Sequence, residues 1–200
     1  MIIAVTDRKI SRSEFLTQTE LIASARPDML ILREKDLTEE EYGRLAAECS
    51  RICDRHNVKF CINSFVNVAA AMGSERVQVP FGLLAGTKGF RERWASVHSL
   101  NEAFEAERMG ATHLIYGNVF ETSCKPGAEG KGIAELKRVC DSVNIPVFAI
   151  GGISEDNIRA AMDAGCRGVC IRSLLMEAAG PRAVMDGLRK RMGAGAPFKI

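Results

Sequence analysis

Two glycines in succession, Gly151 and Gly152, stand where the apolar run Pro146-Val147-Phe148-Ala149-Ile150 gives way to Ile153-Ser154. Paired glycines let backbone N–H groups approach an anion closely, and a helix capped by Ser154 would aim its positive end at the same spot. The chemistry this suits is the binding of a phosphate. Ser173, after Ile171-Arg172 at the end of the next apolar run, is placed to complete the cradle. A second anion signal is Leu30-Ile31-Leu32-Arg33-Glu34-Lys35, where strand alternation puts Ile31, Arg33 and Lys35 on one side. Two readings of that pair are equal: a seat for an anionic ligand, or a solvated rim neutralised by Glu34 and Asp36. Ser96 and His98 share a side of Ser96-Val97-His98. His98 suits acid/base work near neutrality, and bracing of a neighbouring loop fits it as well. Asn63 and Ser64 end a further run. The loop from Gly117 to Gly127 mixes amide, hydroxyl and cation in Asn118, Thr122 and Lys125, as ligand-touching loops do. His56, at a helix end, and His113, near a strand start, read as structural.

These residues need a scaffold that brings many strand ends together. Eight short apolar runs recur along the chain, at 2–6, 29–33, 58–63, 76–80, 95–98, 113–117, 146–151 and 168–172. They are rich in β-branched and apolar residues and end in Gly, Pro, Asn or charge, as buried parallel strands do. Amphipathic stretches lie between them. The clearest is 37–56, where Thr38 and Glu41 form a capping box and Leu37, Tyr42, Leu45, Ala46, Cys49, Ile52 and Cys53 share a face. The segments 99–110 and 154–165 each open on Ser and close on Gly. The stretch between Pro80 and Trp94 has the weakest helical pattern. Eight β-then-α units in one chain predict an α/β fold: a single-domain (β/α)8 TIM barrel spanning 1–200. The rival is an open doubly wound sheet, which carries its glycine turn after the first strand. Here Asp7 follows that strand and the glycines follow the seventh, where barrels commonly build phosphate sites.

Composition excludes other classes. A formal charge of +2 over 200 residues argues for neither a nucleic-acid nor a membrane partner. No apolar run is long enough to span a bilayer, and Met1-Ile2-Ile3 reads as a strand rather than a leader. Seven cysteines without a C-x-x-C read as reduced thiols used as small apolar residues, which points to the cytoplasm.

The runs LREKDLTEEEY, SVHS, GNVFETSCKPG and AIGGIS, in that order, resemble the thiamine phosphate synthase/TenI family over essentially the whole chain. The VFET-x-CK segment and the EGKG at 129–132 look closest to TenI, the thiazole tautomerase branch. The resemblance implies a barrel of thiamine biosynthesis, a homodimer and a phosphorylated thiazole-type ligand. Synthases of the family join a pyrimidine methyl diphosphate to a thiazole phosphate with Mg2+; tautomerases isomerise a carboxythiazole phosphate without a metal. By the same resemblance Arg33 and Lys35 match the pyrimidine-diphosphate motif, with Ile31 in place of its leading glutamine. Asn63, Ser96, Thr122 and Lys125 match substrate-binding positions, and Gly151, Gly152 and Ser173 match the phosphate site. Arg172 departs from the small or apolar residue usual there, and its guanidinium either joins the phosphate site or turns outward. Ser64 replaces a metal-binding aspartate, and Val79-Pro80-Phe81-Gly82 offers no carboxylate for the second. No cofactor and no functional Mg2+ site are therefore expected. Asn118 stands where tautomerases carry their acid/base histidine, and an amide cannot shuttle a proton near neutral pH. Three readings follow: a tautomerase with His98 as substitute proton carrier, a synthase, and a binder of a phosphate ligand without turnover.

Overall fold

The computed structural model describes residues 1–121 and 130–193. Eight strands, β1 (Ile2–Val5), β2 (Met29–Leu32), β3 (Lys59–Asn63), β4 (Arg76–Pro80), β5 (Glu92–Val97), β6 (His113–Gly117), β7 (Val147–Ile150) and β8 (Gly168–Ile171), pair in chain order. Every pairing is parallel, and β8 closes on β1 with Ile2 opposite Val169. The chain is a closed (β/α)8 barrel.

Alternation along these strands makes two cores. Ile3, Val5, Met29, Ile31, Trp94 and Phe148 point inward and fill the barrel. Their neighbours Ile2, Ala4, Leu30 and Leu32 point outward and pack beneath the helices. At the base, the Trp94 ring stacks on His113 at 3.9 Å and tilts against Phe148 at 4.8 Å. Burial holds His113 below the ordinary imidazole range. His56, at the end of its helix, pairs with Glu20. Both histidines lie outside the cavity described below.

The helices are α1 (Phe15–Ser24), α2 (Glu39–His56), α3 (Val66–Ala71), α4 (Leu100–Arg108), α5 (Gly132–Ser142), α6 (Ile158–Asp163), α7 (Ser173–Met176) and α8 (Pro181–Met192). α2 opens on the expected capping box of Thr38 and Glu41. It does more than cover the sheet. The buried Tyr42 hydroxyl donates to the Leu32 carbonyl at 2.5 Å and accepts from the Asn63 N–H at 3.0 Å, fastening the ends of β2 and β3 together. Two local expectations change. After β4 the chain makes a 3-10 helix, Phe81–Thr87, instead of an α-helix, which accounts for the weak periodicity there. Ser154 does not cap α6. The helix starts later because Asn157 accepts from the Ser154 N–H and donates to the Gly152 carbonyl, both at 2.8 Å. That side chain holds the glycine turn in place.

The cysteines of the described residues are free thiols, mostly buried in the two cores. Burial pushes Cys49 and Cys53 up, the latter to about 12. No helix among the described residues is long and apolar enough to cross a membrane.

Candidate active site

A cavity of about 250 Å³ opens at the C-terminal ends of the strands. Its floor is the inward row Val5, Ile31, Ile115, Ile150 and Cys170. Arg33, Lys35, Asn63, Ser96, His98 and Asn118 all line it, as do Gly151, Gly152, Arg172 and Ser173. The structure thus gathers residues from six strand ends around one mouth. Thr122 and Lys125 lie outside the described residues.

The glycine turn is required by two constraints. Gly151 and Gly152 have φ of 100° and 63°, a region L side chains rarely adopt. A Cβ at Gly152 would overlap Phe120 and the Glu121 carbonyl, and one at Gly151 would overlap Asn118. The segment after β6 lies directly on the turn, with Val119 N–H donating to Ile150 O and Phe120 N–H to Gly151 O. Enlarging either glycine therefore moves this segment as well as any bound phosphate.

Along β8, β1 and β2 the mouth is cationic. Arg172 does not turn outward: it lines the cavity while Asp7, beyond the end of β1, holds its guanidinium at 3.5 Å. Glu34 and Asp36 look away to Arg8 and Lys9. Glu34 is 3% exposed and accepts from the Thr6 hydroxyl at 2.7 Å and the Arg8 N–H at 3.1 Å. Burial raises its pKa, against those hydrogen bonds. Asp36 pairs with Arg8 at 2.9 Å and Lys9 at 3.3 Å, hydrogen bonds that lower its pKa.

Along β3, β4 and β5 the mouth is neutral. Asn63 donates to the Gln78 side-chain oxygen at 2.5 Å, and Gln78 donates to the Ser96 hydroxyl at 2.8 Å. Ser64 donates to Asn63 Oδ1 at 3.2 Å. Gln78, only 4% exposed, links the whole row and was not singled out from the sequence. Its signal was there: a lone amide in the apolar strand Arg76-Val77-Gln78-Val79-Pro80, since a buried polar side chain is the informative exception.

His98 lies just past β5, and its Nδ1 sits 2.6 Å from the Gly117 carbonyl. That bond makes Nδ1 the donor and turns Nε2 away from Gly117. Asn118 is 7% exposed and donates weakly to the Phe120 carbonyl at 3.4 Å.

A family model described as thiamine monophosphate synthase matches residues 2–175. The chain belongs to that family. A thiamine-phosphate synthase of Clostridium acetobutylicum is 31% identical over 182 residues, covering 87% of this chain and 86% of that one. One from Desulfitobacterium hafniense is 33% identical, covering 92% and 93%. Among solved structures, a thiamine phosphate pyrophosphorylase from Pyrococcus furiosus superposes with a TM-score of 0.85 at 28% identity, covering 96% and 95%. A 3-hexulose-6-phosphate synthase at 18% identity and a TM-score of 0.69 shares the fold alone. These three relatives are named for thiamine-phosphate synthesis, and none of them supports the tautomerase reading.

The residues present do not fit the divalent cation of the family's synthases. Ser64 offers a neutral hydroxyl already given to Asn63. The 3-10 turn after β4 brings no carboxylate. No Asp or Glu is among the described residues lining the cavity. Mg2+ wants carboxylate oxygens beside substrate phosphates, and the nearby carboxylates Asp7, Glu34 and Asp36 each hold a cationic side chain.

Proposed function

We propose that this chain is a transferase of the thiamine-phosphate synthase type, joining a pyrimidine methyl diphosphate to a thiazole phosphate. One observation carries the reading: two anion-suited ends share one cavity. Arg33 and Lys35 line it from β2, and Gly151, Gly152 and Ser173 from β7 and β8. Isomerising one phosphorylated thiazole needs one such end; coupling two phosphorylated substrates needs both. In the coupling, the thiazole nitrogen forms a bond to the pyrimidine methylene as its C–O bond breaks and diphosphate leaves. That step asks for charge stabilisation and alignment. Arg33 and Lys35 supply the first, and the Asn63–Gln78–Ser96 row supplies hydrogen bonds to orient a heteroaromatic ring. The apolar floor excludes water.

The tautomerase alternative lacks its usual proton carrier. Asn118 cannot act, which leaves Nε2 of His98, whose Nδ1 is held by Gly117, as its one candidate base. A second reading, binding of a phosphorylated thiazole without turnover, is favoured by Ser64 at the metal position. The purified protein, given both phosphorylated substrates, is expected to release diphosphate and form thiamine phosphate. If no coupling occurs with or without Mg2+ while thiazole phosphate still binds by calorimetry, the second reading takes its place. The homodimer and the cytoplasmic setting belong to the same proposal, and sedimentation of the purified chain reads the first.

A further inference from the structure

The disagreement between the cavity and a divalent cation has a counterpart on the opposite arc of the mouth. The described lining carries three cations, Arg33, Lys35 and Arg172, and no carboxylate. Barrel closure places them on the two strands that flank β1, since β8 pairs with β1 and β1 with β2. The Asp7 contact holds the Arg172 guanidinium beside the end of β1, the strand between β8 and β2. Its carboxylate partner lies outside the cavity lining, so the cation faces the ligand space with its anchor behind it.

We infer that the arc of Arg172, Arg33 and Lys35 seats a diphosphate ester without a divalent cation. In such a site a metal gathers oxygens of neighbouring phosphates and neutralises the charge that builds as the ester bond breaks. A guanidinium presents a rigid fork of N–H donors that matches phosphate oxygens and stays charged at every physiological pH. Arg172 stands at the end of the arc nearest the phosphate turn, beside Ser173. The inference deepens the transferase reading and rests on it, because the diphosphate is then the leaving group of the coupling.

Inorganic diphosphate, titrated into the wild-type chain by calorimetry, tests it. Saturable binding in EDTA is expected, with no gain in millimolar Mg2+. Arg172→Gln is expected to weaken diphosphate about tenfold, roughly 1.4 kcal/mol, and inorganic phosphate no more than about threefold. Binding of diphosphate only with Mg2+, or about tenfold tighter with it, overturns the inference, and that comparison needs no variant. Equal weakening of both anions also overturns it, because Arg172 would then belong to the phosphate turn. Thermal unfolding of Arg172→Gln shows whether the variant is folded, and Arg172→Lys, which keeps charge without the fork, should fall between. The two proposals fail separately. Metal-free diphosphate binding without coupling leaves this inference standing and removes the transferase. Coupling that demands Mg2+ does the reverse.

Discussion

The two arcs of the barrel mouth are built on opposite plans. From β8 through β1 to β2, cations face the cavity and carboxylates stand behind them: Asp7 behind Arg172, and Glu34 and Asp36 turned to Arg8 and Lys9. From β3 through β4 to β5, no Lys, Arg, Asp or Glu is among the described residues lining the cavity, and Asn63, Gln78 and Ser96 form a hydrogen-bonded row. Charge attracts a phosphate from any direction, whereas a fixed row of amides recognises a ring by where its donors and acceptors lie. The difference teaches that affinity and orientation are supplied by different strands. It also explains the brace of Tyr42, whose hydroxyl joins the last residue of β2 to the last of β3, where the two arcs meet.

Breaking the charged arc should have the largest effect. Arg33→Ala is expected to lower kcat/KM for coupling about 100-fold, since a hydrogen bond to a charged group is worth about 1.5–3 kcal/mol. Thermal stability should change little, and steady-state kinetics beside an unfolding curve checks both. Breaking the neutral arc should do the converse. Gln78→Leu leaves Asn63 Nδ2 and the Ser96 hydroxyl without their side-chain partner. A buried polar group so stranded costs about 1–3 kcal/mol, and each kcal/mol lowers Tm by about 2–4 °C in a chain of this size. Diphosphate affinity should stay within about twofold in the same variant. If Gln78→Leu weakened diphosphate as strongly as Arg33→Ala, the division of labour would be wrong.

A smaller effect separates the rim from the base. His113, stacked on Trp94, has its pKa lowered by burial. The unfolded chain therefore binds that proton more readily, and the stability His113 contributes is complete above about pH 6.5 and falls as pH drops below it. His113→Gln should flatten this part of a stability-versus-pH curve measured in urea. Diphosphate affinity over the same range should be the same in both proteins, because His113 is remote from the cavity lining. The smallest expected effect is at Asn118. Asn118→His should leave isomerisation of carboxythiazole phosphate at background. A general acid/base contributes about 10²–10⁴-fold, so a gain of that order would reveal a tautomerase pocket lacking only its proton carrier.

Eight strands, their order, the capping box of α2 and the phosphate-suited glycine pair were all legible in the sequence. Each rests on short-range signals: alternation, end residues and backbone freedom act within a few residues of one another. Strand parity also put Arg33 with Lys35, and Ser96 with His98, on one side of their strands, and in a closed barrel an inward position near a strand end must face the mouth; Asn63 was legible only as a strand-end residue matching a family position. Where a long side chain sends its head group is another matter. Glu34 and Asp36 were equal candidates to neutralise Arg33 and Lys35, and packing of the loop after β1 gave them to Arg8 and Lys9 instead. Gln78 became the link of the neutral row only when β3 and β5 flanked β4. Asp7 and Arg172, near opposite ends of the chain, meet because β8 closes on β1. Local chemistry determined the parts and the side each one faces. Closure of the sheet decided which charges meet, because ion pairs and amide networks are contacts between strands that no local signal encodes.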